Sequence, residues 1–487
     1  MNTRTFKLVT LAMISVLYVG NAAAEELQQS DLTLATQQLE LENKVEEARL
    51  AAEKKAEEER LALEAEKRFS ERLGEVSLQF KPLIAKIYVE NHFSPIWTDN
   101  QAKQQFLHDY ALVIAGGISK RSANALNAIH EAAGKGELIE DVLLTDAFLD
   151  YLFYATNIAK FAQKWLYAGN SYKAGQLGDE QVSAWLSAVK NNDNFTFVKN
   201  LSGENALFKQ TSARVAHVIE AGVDKHNMVE LHRLAINAQR LRILPVFQDG
   251  IFVNIPSYEL NYYRDGQVVL SSRVIVGQSS RKTPVMSSRL SNVVVNPPWN
   301  APTRLINEDI IPKVRKDPSY IYRHGYTIID GSGNTIDPYT IDWENMSAKR
   351  FPYRLRQAPS DNSALGNYKF NMPSSEAIYL HDTPKRNLFG NKNRALSSGC
   401  VRVEKSDQLA TILLKEAGWT DERKQNVLKS KKTTSAGIKS DNPVFLYYVT
   451  AWVDKDQVHT LPDIYGYDKA PDLSYINWDI LKHYIQR

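Results

Sequence analysis

Residues 250–277 have the sequence GIFVNIPSYELNYYRDGQVVLSSRVIVG, which sets the expected architecture of the second half of the chain. Short runs rich in Val, Ile and Tyr are typical of β-strands, and Asp265-Gly266 favours a tight hairpin turn. Similar runs follow, namely LSNVVVNPPW (290–299), YKFNM (368–372), AIYLH (377–381) and PVFLYYVTAW (443–452). We therefore predict a mainly β region from about residue 241.

The residues before this region have a helical pattern. From about residue 76 to 240, apolar residues recur at three- and four-residue spacing, as in FLDYLFYATNIAKFAQKWL (148–166), and this periodicity predicts a helical domain. Residues 25–73 contain neither Gly nor Pro and are dense in Glu, Lys and Arg, which favours a solvated helical stalk. Its apolar seam is mostly Ala and Leu, so a coiled coil is weakly specified.

The first 24 residues are typical of a cleavable export signal. Arg4 and Lys7 precede an apolar run from residue 8 to 19, and small residues follow, with the expected cut after Ala24. The run is short for a membrane span, although an uncleaved anchor is the alternative. We therefore expect an exported protein.

Cys400 is the single cysteine of the 487-residue chain, so no internal disulfide can form. A lone thiol in an oxidising compartment is a buried inert residue, an intermolecular bridge or a reactive group. The strand AIYLH ends at His381, which could act as the base of the thiol. Gly399 could turn so that its own N–H and that of Cys400 face a developing negative charge. From spacing alone, a buried Cys400 and a structural His381 remain equally acceptable.

Composition excludes several classes of function. A formal charge of +3 without a basic face gives no reason to expect a nucleic acid partner. The histidines are scattered, a second cysteine is absent and no P-loop occurs in the sequence, so we expect neither a metal nor a nucleotide cofactor. With 43% hydrophobic and 24% charged residues, the chain has ordinary globular composition.

The pattern of His381, fifteen residues and then SSGCVR resembles the signature of the YkuD-type L,D-transpeptidases, cysteine enzymes that cross-link bacterial peptidoglycan. Longer stretches, among them VNIPSY, SRVIVG, VVVNPPWNAP, FNMPSSEAIYLHDTP and ALSSGCVRV, resemble the large Gram-negative YcbB branch over about residues 238–467. The resemblance implies an α+β multidomain protein in the periplasm. The expected parts are a signal peptide (1–24), a charged helical stalk (25–75), a helical scaffold domain (76–240), a mainly β catalytic domain (241–455) with a capping insertion (303–349), and a C-terminal segment (456–487).

The resemblance also implies roles for the central residues. Cys400 would attack the carbonyl between meso-diaminopimelate and the terminal D-alanine of a tetrapeptide stem. His381 would be its base, with the ring oriented by a backbone carbonyl of Asp382 or a neighbour. Gly399 and Cys400 would supply the oxyanion donors. A second stem would then attack the thioester through its diaminopimelate amine and give a 3→3 cross-link.

Four further residues are expected to contact substrate. Tyr379 and Trp299 are expected to line the cleft, although core packing is equally acceptable for Tyr379. Arg402 would bind a substrate carboxylate or hold the motif loop through carbonyl bonds, and we favour the second role slightly. Ser398 stands where many family members have a histidine, so a second histidine cannot assist.

Other outcomes stay open from the sequence. Residues 191–226 lack the peptidoglycan-binding repeat that is typical of the branch, so the stalk is expected to set reach or to recruit an envelope partner. With water as the acceptor, the same thiol chemistry gives a carboxypeptidase or amidase, and with a lysine it attaches proteins to the wall. A non-catalytic wall scaffold is the third possibility. The resemblance further implies acylation of Cys400 by carbapenems.

Overall fold

The computed structural model describes residues 22–168, 172–347, 351–438, 442–469 and 472–486, with side chains from residue 40 onward. The predicted signal peptide lies outside the described residues except for its last three positions. The chain forms two compact units, residues 1–94 and 95–487. Each unit is described below by itself.

The first unit consists of two helices, α1 (Ala22–Leu73) and α2 (Lys81–Glu90), in the part that the structure describes. The exposed surface of α1 carries ion pairs one helical turn apart, such as those of Arg60 with Glu57 and Glu64. Such exposed pairs contribute little to stability, so the high helix propensity of the sequence supplies much of the preference for helix. Among the described helices, none combines the length and apolar character that a membrane span requires.

The second unit begins with a group of helices. They are α3 (Asn100–Ala115), α4 (Lys120–Ala132), α5 (Glu137–Ala162), which continues into a π-helical turn (Gln163–Tyr167), α6 (Asp179–Lys190), α7 (Asn194–Asn200), α8 (Ala206–Ala221) and α9 (Met228–Arg242). Side-chain caps define several starts: Asp99 accepts from the first N–H groups of α3, Ser119 caps α4 and Asn205 caps α8. The predicted helical region is therefore confirmed as helical.

A buried carboxylate ties three segments of this helical region together. Asp150 of α5 is 4% exposed and accepts hydrogen bonds from Tyr110 of α3 at 2.7 Å, Ser122 of α4 at 2.7 Å and Tyr172 at 2.9 Å. Because three hydroxyl groups donate to the buried carboxylate, its hydrogen-bonding capacity is satisfied. These contacts fix the packing of the helices.

The C-terminal half is mainly β. Its strands are β1 (Gly250–Asn254), β2 (Glu259–Arg264), β3 (Gln267–Gly277), β4 (Met286–Arg289), β5 (Asn292–Val295), β6 (Trp299–Asn300), β7 (Tyr326–Ile329), β8 (Thr335–Ile336), β9 (Arg354–Gln357), β10 (Tyr368–Asn371), β11 (Leu380–His381), β12 (Ala395–Ser397), β13 (Val401–Val403), β14 (Thr434–Gly437), β15 (Pro443–Tyr447), β16 (Ala451–Asp454) and β17 (Gln457–Thr460). Its helices are α10 (Thr303–Leu305), continued by a π-helical turn (Ile306–Ile310), α11 (Ile311–Val314), α12 (Tyr320–Arg323), α13 (Ser406–Glu416), α14 (Asp421–Ser430) and α15 (Trp478–Ile485), with short 3-10 turns at Ile255–Ser257, Pro338–Thr340 and Arg386–Gly390.

The main sheet has the strand order β14-β5-β10-β11-β13-β3-β2-β1-β15-β4, and β12 pairs with β3 beside this path. The hairpin between β2 and β3 turns at Asp265 and Gly266, whose φ angles of 50° and 73° match the twist of the flanking strands. The predicted hairpin is thus confirmed. In the middle of the sheet, β11 lies between β10 and β13, and these three short strands position the candidate site.

The inserted subdomain has a sheet of its own, with the order β6-β9-β7-β8, and a separate apolar core that includes Ile310, Ile321, Ile328 and Leu355. We predicted an insertion over residues 303–349, whereas the small sheet begins at Trp299 and ends at Gln357. The difference arises because the two-residue strand β6 pairs with β9 and closes the base of the subdomain. Residues 348 and 349 of the predicted range lie outside the described residues.

The C-terminal segment returns to the helices. The hairpin of β16 and β17 spans the boundary that we predicted at residue 455. Beyond it, Asp468 accepts hydrogen bonds from Arg240 of α9 at 2.6 Å and from Arg233 at 3.1 Å. Arg240 is fully buried and also donates to the carbonyls of Leu166 and Tyr467. This satisfied charge pair fixes the segment that carries Tyr465 against the helical region.

Candidate active site

Three adjacent strands bring the candidate residues onto one face of the main sheet. Lys369 of β10 lies opposite His381 of β11, and His381 lies beside Arg402 of β13. Tyr379 and Cys400 each stand two residues before a member of this row, and side chains two residues apart share a face of a strand. Cys400 and His381, nineteen residues apart in the sequence, are therefore brought to the same face and line one cavity.

The His381 ring is buried and is oriented by the backbone. Its Nδ1 atom lies 2.5 Å from the carbonyl oxygen of Asp382. Because a carbonyl can only accept, Nδ1 carries the proton, and Nε2 is the free acceptor in the neutral ring. Burial, together with the charges of Arg402 and Lys369, lowers the pKa of His381 to about 3. The imidazole is therefore neutral at pH 7, and its Nε2 atom has no proton.

The carboxylate of Asp382 supports the loop behind the ring. It accepts hydrogen bonds from the N–H of Asn367 at 2.9 Å and from Ser406 at 2.8 Å, and it pairs with Arg386 at 2.6 Å. Its acceptor positions are thus occupied by framework groups, while only its backbone oxygen contacts the histidine.

The Cys400 thiol is partly buried at the end of its loop. Burial raises the pKa of Cys400 above its ordinary value. Hydrogen bonds from the backbone and side chain of Tyr379 oppose this rise, as do the charges of Lys369 and Arg402. At neutral pH the resting group is consequently a thiol beside a neutral imidazole, so proton transfer has to accompany attack.

The loop before the thiol needs glycine at position 399, where φ is +124°, a conformation that L side chains rarely adopt. We expected the N–H of Gly399 to be an oxyanion donor, but it donates to the hydroxyl of Ser397 at 3.1 Å. The same hydroxyl donates to the carbonyl of Cys400 at 2.6 Å, which closes a tight side-chain turn. The N–H of Cys400 has no partner among the described residues and remains as the available donor.

A cavity of about 430 Å³ opens above the thiol and the imidazole. Seven of the eight predicted site residues line it, namely Cys400, His381, Gly399, Ser398, Arg402, Tyr379 and Trp299. The eighth, Asp382, stands behind the ring of His381. Leu305 lines the cavity from the inserted subdomain, so this subdomain forms part of the cavity wall.

Arg402 does not have the structural role that we slightly favoured, namely holding the motif loop through carbonyl bonds. Its side chain makes no hydrogen bond to a loop carbonyl among the described residues, and its buried Nε atom has no partner there. The physical reason is its position in the row beside His381, on the cavity side of the sheet. The motif loop is held instead by Thr283, which donates to the carbonyl of Gly399 at 2.7 Å.

The sequence analysis did not identify two further residues near the site. The hydroxyl of Tyr465 donates to the carbonyl of Gly277 at 2.6 Å and accepts from the N–H of Thr283 at 3.0 Å, so the C-terminal segment supports the motif loop. This contact joins residues 182 positions apart in the sequence. Lys369 was also missed, although its place between buried Tyr368 and Phe370 in the strand YKFN was a local signal.

Two arginines connect the motif loop with the inserted subdomain. Arg304 of α10 donates to the carbonyl of Ser398 at 3.0 Å. Arg281 donates to the hydroxyl of Ser398 at 3.1 Å and forms a two-pronged pair with the carboxylate of Asp309, at 2.6 and 2.8 Å. We did not predict either residue, because both contacts depend on how the subdomain folds over the sheet.

Comparisons with known proteins agree with this arrangement. A family model described as the L,D-transpeptidase catalytic domain, YkuD, matches residues 248–417, and a model described as a scaffold domain matches residues 82–214. The two matches together define a transpeptidase built on a scaffold domain. A protein of Haemophilus influenzae named "Putative L,D-transpeptidase" is 58% identical over 417 residues, which are 86% of this chain and 84% of that protein. The chain therefore belongs to the L,D-transpeptidase family and is an enzyme that acts as a transpeptidase.

Two solved structures of L,D-transpeptidases match part of the chain at low sequence identity. The catalytic domain of the Enterococcus faecium L,D-transpeptidase acylated by ertapenem is 12% identical, covers 41% of this chain and 98% of that one, and gives a TM-score of 0.20. An L,D-transpeptidase from Mycobacterium smegmatis is 12% identical, covers 40% and 57%, and gives 0.19. The family and the fold class are confirmed, while the domain boundaries and the roles of single residues stay predictions.

Proposed function

We propose that the protein forms 3→3 cross-links between the meso-diaminopimelate residues of two peptidoglycan stems, through a thioester on Cys400. The observation that carries the proposal is the placement of Cys400 and His381 on one sheet face, at the floor of a cavity that the inserted subdomain borders. An export signal and a peptidoglycan substrate together favour the periplasm as the location.

In the first half-reaction the Sγ atom of Cys400 attacks the carbonyl carbon between diaminopimelate and the terminal D-alanine. The new S–C bond forms as Nε2 of His381 takes the thiol proton, and the oxyanion meets the free N–H of Cys400. When the C–N bond breaks, the imidazolium gives its proton to the departing amine, and D-alanine leaves. The pKa of about 3 favours this second step, because an imidazolium in such a site is a strong acid.

In the second half-reaction the side-chain amine of another stem attacks the thioester. A C–N bond forms and the C–S bond breaks, while His381 passes the proton of the amine to the departing thiolate. The enzyme thus returns to its neutral thiol and imidazole. Neither half-reaction calls for a metal or an organic cofactor.

The charges around the cavity suit a substrate rich in carboxylates. Lys282, Arg304 and Arg402 are cationic lining residues, against a single acidic residue, Glu376, among the described ones. Lys282 donates to the carbonyl of Tyr465 and Arg304 to that of Ser398, whereas Arg402 has no such bond. Arg402 is therefore the best candidate for binding a stem carboxylate, through a two-pronged pair.

The decisive test uses the mature chain, residues 25–487, with disaccharide-tetrapeptide as substrate and mass spectrometry of the products. A dimer that lacks one D-alanine, formed by the wild type and absent with Cys400→Ala, supports the proposal. Monomeric tripeptide without a dimer would overturn cross-linking in favour of hydrolysis. No turnover by folded wild-type protein would favour a scaffold function.

A covalent probe gives a second readout of the same thiol. If Cys400 is the nucleophile, a carbapenem should add its full mass to the wild-type chain in an intact-mass spectrum. The Cys400→Ala chain should stay unmodified under the same conditions, and an equal adduct on both chains would contradict the assignment.

A further inference from the structure

Lys369 stands beside the reactive pair without lining the cavity. It lies directly opposite His381 across the pair of β10 and β11, and its Nζ atom is 4.2 Å from the centre of the Tyr379 ring. Its side chain is partly buried, and it is not part of the cavity wall. Because Lys369 lies outside the cavity wall, we expect its ammonium group to act on its neighbours through its charge.

The ammonium has no carboxylate partner. Within the part of the chain that the structure describes, neither Lys369 nor Arg402 forms an ion pair with an Asp or Glu. Burial lowers the pKa of both cations, and Cys400 is the acidic group whose charge opposes this lowering in each case. A cation that is partly removed from water and left unpaired is unfavourable, so an anion nearby is strongly stabilised. Cys400 is the group in this position that can become one.

We propose that Lys369 is a positioning residue that sets the charge states of Cys400 and His381, by favouring the thiolate and disfavouring the imidazolium. The groups that act on the thiol are Tyr379, which directly precedes β11, Lys369 from β10 and Arg402 from β13. His381 of β11 lines the same cavity. The consequence for turnover, but not the effect on the thiol, rests on the function proposed above.

Neutralising Lys369 should raise the pKa of both Cys400 and His381. Removing the positive charge makes the thiolate less stable, so the thiol loses its proton at higher pH. The same change makes the imidazolium more stable, so the histidine gains its proton at higher pH. Both limbs of the pH profile of turnover should therefore move to higher pH when Lys369 is neutralised. A purely structural role would lower the rate without moving both limbs in this direction.

Alkylation by iodoacetamide tests the effect on the thiol. Because Cys400 is the single cysteine, alkylation of a thiol reports on this group alone. The rate is measured from pH 6 to pH 11 for the wild type and for Lys369→Met, Lys369→Gln and Lys369→Arg, with Lys429→Met as the matched control. Lys429 is exposed on α14. Thermal unfolding of each variant checks that it is folded.

We expect the midpoint of alkylation to rise by half a pH unit or more in Lys369→Met and Lys369→Gln, and to stay near the wild-type value in Lys369→Arg and Lys429→Met. An unshifted midpoint in either folded neutral variant would overturn the proposal, as would an equal shift in Lys369→Arg. Should Lys369→Met not fold, Lys369→Gln decides. If the wild type forms no cross-links, the proposed function fails, while the alkylation profile still decides the role of Lys369.

Discussion

The Nδ1 atom of His381 lies 2.5 Å from the backbone carbonyl oxygen of Asp382, so a carbonyl and not a carboxylate orients the ring. Asp382 is 3% exposed. Its carboxylate contacts Arg386, Ser406 and the N–H of Asn367 and not the ring. The chemistry of the histidine and the packing of its loop are thus assigned to different atoms of one residue.

This arrangement predicts that Asp382→Asn affects stability more than chemistry. The ring keeps its carbonyl partner, so the cross-linking rate should fall by less than about tenfold, unlike the loss of about 10⁴ when a triad carboxylate is replaced. The amide that replaces the carboxylate places its own N–H groups next to the framework donors, so some hydrogen bonds are lost. The free energy of unfolding should therefore fall by about 1–3 kcal/mol. Product assays and urea unfolding measure the two effects. A rate loss above a thousandfold in a folded variant would show that the carboxylate acts on the ring.

Ser397 gives a second prediction, because its hydroxyl joins the N–H of Gly399 to the carbonyl of Cys400. In Ser397→Ala the loop loses two hydrogen bonds worth about 1 kcal/mol each, so the cross-linking rate should fall by up to about thirtyfold. Two variants serve as comparisons. Cys400→Ser lacks the thiol, and Ser398→Ala keeps the turn that the Ser397 hydroxyl closes. A faster Ser397→Ala enzyme would show instead that the freed N–H of Gly399 serves as an oxyanion donor.

The sequence predicted the elements whose signals are local. The hairpin at Asp265-Gly266, the strand that ends at His381 and the glycine before Cys400 were all visible in short runs of residues. The use of the Gly399 N–H could not be predicted, because it depends on whether a nearby hydroxyl competes for it. The support from Tyr465 and the closure of the insertion by Trp299 depend on chain segments far apart in sequence, for which periodicity carries no information.

The pair of Arg281 and Asp309 predicts a role for the inserted subdomain in substrate binding. The guanidinium holds Asp309 with two bonds and also contacts Ser398, and it lowers the pKa of the Asp309 carboxyl. Asp309→Ala removes this pair but leaves Arg281 paired with Glu308 at 2.7 Å, so KM should rise by up to about fivefold, with a smaller change in kcat.

The matched control for this variant is Asp317→Ala, which breaks an exposed pair with Arg323 in the same subdomain. Exposed pairs contribute little, so this variant should keep wild-type kinetics. Initial rates over a range of tetrapeptide concentrations separate KM from kcat. Equal KM values for the two variants would contradict a link between the subdomain and substrate binding.

The low pKa of His381 predicts how stability depends on pH. A histidine whose pKa is about 3 in the folded chain and near its ordinary value of about 6.5 in the unfolded chain binds fewer protons when folded between these values. The free energy of unfolding therefore falls as the pH is lowered through this window. Buried His232, with a pKa lowered to about 4, adds to the same trend.

Replacing His381 by Gln should remove its share of this loss. Between pH 7 and pH 5, the decrease in the free energy of unfolding should be smaller by about 2 kcal/mol in His381→Gln than in the wild type. His217→Gln, at an exposed position on α8, is the control and should show the full decrease. Urea unfolding at both pH values measures the difference. The same decrease in all three proteins would mean that His381 has an ordinary pKa in the folded chain. Its imidazolium would then be a weaker acid than the proposed reaction assumes.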